Sequence, residues 1–157
     1  MEASRKVALE FVEIDDNTLP LVTFRFKAHE PTDEQFNAYL DCFKHIINNV
    51  ATDEKPVVIM FDLRKGTTRN LSIISKQVKF NKQMRPLFYE RLGATAILVD
   101  SEFYRNIIKM VFTMVKRVRP NHACRCGQEA KAYLKKELAK FLVQKAERAN
   151  FDGGSAE

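Results

Sequence analysis

The stretch Pro56–Leu63, Pro-Val-Val-Ile-Met-Phe-Asp-Leu, constrains the fold more than any other part of the chain. Between Val57 and Asp62 the one polar side chain is the closing aspartate, and the run is bounded by Lys55-Pro56 before and Arg64-Lys65-Gly66 after. It is too short for a buried helix. A continuous apolar run of this length reads as a strand covered on both faces, as in a parallel sheet. Ala94–Val99, followed by Asp100, repeats the pattern, with a helical pattern between the two. Together they make a βαβ unit, because parallel neighbours need a long crossover. Helices on both faces would place Ile59 and Phe61, read as facing opposite ways, in the core.

The rest of the chain attaches to that unit. Lys6–Ile14 alternates well enough for a strand with Val7, Leu9 and Phe11 on one face, and Asp15-Asp16-Asn17-Thr18 has the composition of a turn. Leu21–Lys27 alternates Val22, Phe24 and Phe26 against Thr23, Arg25 and Lys27. The two strands are expected to form a half-buried hairpin near the sheet edge, where Pro20 is tolerated. Thr32 and Gln35 have capping-box spacing. The helix they open is expected to bury Phe36, Leu40, Phe43, Ile47 and Val50. After the central strand, the loop Arg64–Asn70 leads to a helix with Leu71, Ile74, Val78 and Met84 inward, broken or kinked at Pro86. A short turn through Phe88 and Arg91 precedes the second buried strand.

Ser101 reads as the cap of a third helix with the core stripe Phe103, Ile107, Val111, Val115 and Val118. Its second apolar set, Tyr104, Ile108, Met110, Phe112 and Met114, fits either a second packed side or a surface for an apolar ligand or partner. His122–Cys126 reads as a short strand. A last helix, Gln128–Ala149, turns Ala130, Leu134, Leu138 and Phe141 inward. The expected order is β-β-α-β-α-β-α-β-α, an α/β fold with a mixed five-stranded sheet, an antiparallel edge hairpin and helices covering the sheet. One domain would span residues 1–150, and 151–157 would be a flexible tail.

With 157 residues the chain suits a single core, and its 45% hydrophobic content excludes a disordered chain. No apolar run approaches the ~20 residues of a membrane span. The first residues, Met-Glu-Ala-Ser-Arg-Lys, lack the layout of a secretory signal, and three cysteines make no disulfide framework, so a cytoplasmic setting is expected. Charge is uneven: residues 1–100 carry 14 basic and 14 acidic side chains, whereas 101–148 carry 12 and 4. Lys109, Lys116, Arg117, Lys135, Lys136 and Lys140 therefore suggest a basic surface for an anionic membrane or an acidic protein, with nucleic acid less favoured. Solvated, lysine-rich helix faces are the plainer reading.

Few residues carry chemistry. Asp62 and Asp100 close parallel strands, where ligands of open α/β sheets bind. Two aspartates offer too few oxygens for a magnesium site; a strand end and a helix N-terminus account for them more simply. His122, Cys124 and Cys126 alternate on one strand and would share a face, as zinc ligands could. A fourth ligand and a Cys-x-x-Cys pair are lacking, so no metal and no cofactor is expected. The loop Arg64, Lys65, Thr67, Thr68, Arg69 with Ser72 is basic and hydroxyl-rich and precedes a helix, a setting that can hold phosphate or an acidic partner group. Its glycine and lysine spacing is not that of a Walker loop, and neither Gly-x-Gly-x-x-Gly nor Gly-x-Ser-x-Gly occurs. No nucleophile–base pair stands out, so an enzyme is not expected.

Phe61-Asp62-Leu63, the strand Ala96-Ile97-Leu98-Val99-Asp100 running into Ser101, and Cys126-Gly127-Gln128-Glu129-Ala130-Lys131-Ala132-Tyr133-Leu134 together resemble the STAS-like, anti-sigma-factor-antagonist superfamily over about residues 5–142. The resemblance implies a non-enzymatic protein-interaction and regulatory module. In anti-sigma antagonists an Asp-Ser-Ser/Thr-Gly phosphorylation motif lies where the loop after the central strand meets its helix. Here that place reads Thr67-Thr68-Arg69-Asn70-Leu71-Ser72; the motif is absent, and Ser72 stands in its position. Pro86-Leu87-Phe88-Tyr89-Glu90-Arg91-Leu92 through Val99–Tyr104 also resembles CRAL-TRIO lipid-binding domains, which implies carriage of a lipid or other apolar ligand as the alternative. CRAL-TRIO domains usually carry a helical N-terminal piece, which is not expected here. Neither resemblance specifies the partner or the oligomeric state.

Overall fold

In the computed structural model, which describes residues 2–66, 70–102, 105–106, 108–109 and 118–154, the apolar run forms strand β3 (Val57–Asp62) at the middle of a five-stranded sheet. The other strands are β1 (Val12–Thr18), β2 (Leu21–Phe26), β4 (Leu92–Leu98) and β5 (Asn121–Cys124), and the spatial order follows the sequence. β1 and β2 are antiparallel; β2, β3, β4 and β5 run parallel. This is the mixed sheet with an antiparallel edge hairpin that the sequence predicts. Only β1 lies at the edge of that hairpin, because β2 also pairs with β3, and so Val22, Thr23 and Phe24 are all buried.

Helix α1 (Glu2–Ala8) precedes the sheet, and α2 (Asp33–His45) links β2 to β3. The Thr32–Gln35 capping box is formed in both directions, at 3.1 and 3.0 Å. α2 continues into a π-helical turn, Ile46–Val50. Between β3 and β4 lie α3 (Leu71–Gln83) and α4 (Arg85–Arg91), whose junction at Met84 places Pro86 in the first turn of α4, where its missing N–H costs little. α5 (Gly127–Gly154) follows β5 and runs four residues into the stretch expected to be tail.

The helices cover both faces. On one, the side chains of α1, α2, α3 and α4 meet Val22, Phe24, Val57 and Ile59. Phe43 is the hub: its ring centroid lies 5.5 Å from Phe24, 5.8 Å from Phe61, 5.1 Å from Phe80 and 5.5 Å from Phe88. On the other face, Ala130 and Leu134 of α5 cover Val58, Met60, Ala94, Ala96, Leu98 and Cys124. Ile59 and Phe61, two residues apart on β3, share the Phe43 face and do not point oppositely; Ile59 is buried and Phe61 half-buried.

Three further expectations are corrected. Lys6–Ile14 is not a strand: the chain is helical to Ala8 and extended from Val12. Asp15 and Asp16, expected in the turn, lie in β1. Arg25 of β2 reaches Glu13 at 3.0 Å and Asp15 at 3.9 Å, and Arg5 of α1 holds Asp16 at 3.2 Å, so cations from neighbouring elements neutralise the acidic strand. In α3 the inward face is Ile73, Gln77 and Phe80, continued by Met84, while Leu71 is 78% exposed. Of the third-helix residues, Phe103, Tyr104, Ile107, Met110, Val111, Phe112, Met114 and Val115 lie outside the described residues; Val118 packs against the Phe43 core.

Candidate functional site

Because β2 to β5 run parallel, their carboxyl ends share one edge of the sheet, and the loops leaving it stand side by side. Asp62 is the buried polar group of this edge, 8% exposed. Arg64, two residues on, folds back over it. Its Nε donates to Oδ1 at 2.9 Å, its Nη2 to Oδ2 at 2.8 Å, and its backbone N–H to Oδ1 at 3.1 Å. The guanidinium holds the Asp62 carboxyl below its ordinary range against the opposing effect of burial, with Arg25, opposite Asp62 in the β2–β3 register, acting the same way. Arg64 is correspondingly raised, chiefly by its bonds to Asp62, with Asp100 and Cys126 adding to the field. A cation would have to displace the guanidinium to reach Asp62. Asp100, at the end of the neighbouring strand, is exposed.

The loop after Asp62 is seated by its glycine. A Cβ on Gly66 would lie 2.5 Å from Phe26 Cβ and 2.7 Å from the Lys27 carbonyl oxygen, so only glycine lets the loop lie against the end of β2. Lys65 is exposed beside it. At the far side of the loop Asn70 caps α3, its Oδ1 accepting the Ser72 N–H at 2.9 Å, which leaves Ser72 exposed on the first turn. Thr67, Thr68 and Arg69 lie outside the described residues. The structure thus brings Asp62 and Arg64 into one fork, sets Asp100 in its field, and places Lys65 and Ser72 on the rim. The roles of Gly66 and Asn70 were legible only as turn composition.

At the outer end of the sheet, His122, Cys124 and Glu129 offer ligand atoms all within 4.8 Å of one another. Glu129, on the first turn of α5, is the member that sequence spacing missed; Cys126 lies beyond the end of β5 and is exposed. Burial pushes the Cys124 thiol up to about 11. On the basic surface Lys109, Lys135, Lys136 and Lys140 are exposed, with Lys140 3.3 Å from Glu137, while Lys116 and Arg117 lie outside the described residues. At the opposite end of the sheet a cleft of about 560 Å³ lies between α4 and α5, lined by Tyr89, Arg119, Glu147, Arg148 and Phe151. Arg119 stacks on the Phe141 ring at 3.7 Å and donates to the Leu92 and Gly93 carbonyls.

No protein-family model matches the chain, and no curated protein does. Among solved structures it is similar to an uncharacterised DUF3478-family protein from Shewanella loihica PV-4 with a SpoIIAA-like fold. The TM-score is 0.58 at 12% identity, over 78% of this chain and 91% of that one. A likeness at that identity carries the fold: the chain has a SpoIIAA-like, and so STAS-like, architecture, as its sequence resemblance implies. Among the described residues no helix is long and apolar enough to cross a membrane.

Proposed function

We propose that the chain is a non-enzymatic regulatory module of SpoIIAA-like fold that binds an acidic or phosphorylated group of a protein partner, in the cytoplasm, through the loop between β3 and α3. The observation that carries this reading is the Asp62–Arg64 fork. It and Gly66 fix the start of the loop between β3 and α3, and Lys65, between the two anchored residues, is exposed on that base. Helix amides and a lysine on a fixed scaffold suit an anionic group. A phosphate on Ser72 would occupy the same field and so compete with the partner. The exposed lysines of α5 supply long-range attraction.

Carriage of a lipid, the alternative, has less support. The cleft between α4 and α5 opens on Arg119, Glu147, Arg148 and Asp152, a poor match for an acyl chain. The test is affinity capture from lysate with the wild type and Lys65→Glu, alongside circular dichroism. The wild type is expected to retain a partner that Lys65→Glu loses with its fold intact. Equal capture by both overturns the assignment of the loop. Native mass spectrometry showing a stoichiometric bound lipid would replace this reading with the carrier.

A further inference from the structure

His122 and Cys124 are two residues apart on β5 and so share a face, and Glu129 reaches the same point from the first turn of α5. His122 Nε2 stands 3.5 Å from Glu129 Oε1. In a tetrahedral zinc site with bonds of about 2.0–2.3 Å, ligand atoms sit roughly 3.3–3.8 Å apart. The histidine and glutamate are therefore already at ligand spacing, and all three donor atoms lie within 4.8 Å. We propose that His122, Cys124 and Glu129 form a binding site for a zinc-class divalent cation, with the fourth position open to solvent or to a partner's ligand.

Donor chemistry selects the ion. Imidazole, thiolate and carboxylate suit zinc and cobalt, whereas magnesium and calcium ask for an all-oxygen set. One thiolate and one carboxylate balance the charge of a divalent ion, the thiol proton leaving to solvent. The side chains of His122 and Glu129 are 52% and 47% exposed, so they can draw in around an ion without disturbing the core. Glu129 Oε2 accepts the Arg125 N–H at 3.3 Å, an outer contact that aims Oε1 at the site. The Cys124 thiol donates weakly, at 3.8 Å, to the carbonyl of His122 on its own strand. An ion here would pin the four-residue edge strand β5 to α5, which gives binding a stability readout.

Chelator-treated protein is titrated with Co2+. One equivalent is expected to produce tetrahedral d–d absorption with a thiolate charge-transfer band, both abolished by Zn2+, and Zn2+ alone is expected to raise the melting temperature. His122→Gln and Glu129→Gln, both at exposed positions, should each weaken Co2+ binding by about tenfold or more. Cys124→Ser should remove the charge-transfer band, and Cys126→Ser should change nothing. If Cys124→Ser does not fold, the two exposed variants carry the test. An absent spectrum, binding unchanged in His122→Gln, or binding lost in Cys126→Ser overturns the site.

Discussion

Replacing Arg64 with alanine probes the fork at the carboxyl edge. The variant loses the Nε and Nη2 hydrogen bonds to Asp62, at 2.9 and 2.8 Å, and keeps the backbone bond at 3.1 Å. The Asp62 side chain is 11% exposed, so the remaining carboxylate keeps only the weaker field of Arg25 and lacks full access to water. Hydrogen bonds to charged groups contribute ~1.5–3 kcal/mol each. The Arg64 side chain is 40% exposed, and solvent screening cuts that contribution, so the expected loss at neutral pH is ~1–2 kcal/mol. Its pH dependence has a definite sign. The folded Asp62 carboxyl is held below its ordinary value by Arg64, so the stability it contributes is present above the unfolded carboxyl's pKa of about 3.9. That stability is lost as pH falls through the folded value. Urea denaturation from neutral pH into acid should therefore show a gap between wild type and Arg64→Ala that closes as Asp62 is protonated. A gap of constant size across that range, or none at neutral pH, would refute the coupling of Asp62 to Arg64.

Three stability measurements examine the rest of the frame. Phe43→Ala removes the ring that packs against Phe24, Tyr39, Phe61, Phe80 and Phe88 on the α1–α4 face and should cost ~3–5 kcal/mol in urea denaturation. Gly66→Ala forces a Cβ into the backbone of Phe26 and Lys27 and should lower stability by ~1–3 kcal/mol, measured the same way; an unchanged midpoint would mean that the loop is not seated on β2. Leu71→Ala, at a 78% exposed position, should fall within ~0.5 kcal/mol of the wild type by thermal unfolding, whereas Phe80→Ala on the inward face should not.

The central strands were legible because burial on both faces leaves a continuous apolar run, which few other elements produce. The capping box of α2 and the inward stripe of α5 were legible for a similar reason: local spacing dictates them. The errors share a cause in tertiary pairing. Asp15 and Asp16 have turn composition, and they sit in a strand because Arg25 and Arg5, distant in sequence, neutralise them. Helix α3 offers two interleaved stripes of equal period. Leu71, Ile74 and Val78 make the more apolar one, but Gln77 completes the other by accepting the hydroxyl of the buried Tyr39 at 3.2 Å. At the candidate sites residue type was visible and partnership was not. Asp62 reads as a strand end and Arg64 as a loop cation although they form one fork, and Glu129 has no sequence mark tying it to His122 and Cys124.

The fork also decides how the proposed recognition loop is tested. Reversing Arg64 would confront the buried Asp62 carboxylate with a second negative charge and perturb the fold, so Lys65, which is exposed, is the residue to change. The most direct measurement is calorimetric titration of the captured partner into wild type, Lys65→Glu and the double variant Lys135→Glu, Lys136→Glu at matched ionic strength. If the β3–α3 loop recognises the partner, Lys65→Glu weakens binding by about tenfold or more, roughly 1.4 kcal/mol, and the α5 double variant keeps most of the affinity. Full affinity in Lys65→Glu, with loss confined to the α5 variant, would contradict the account and move recognition to the basic helix.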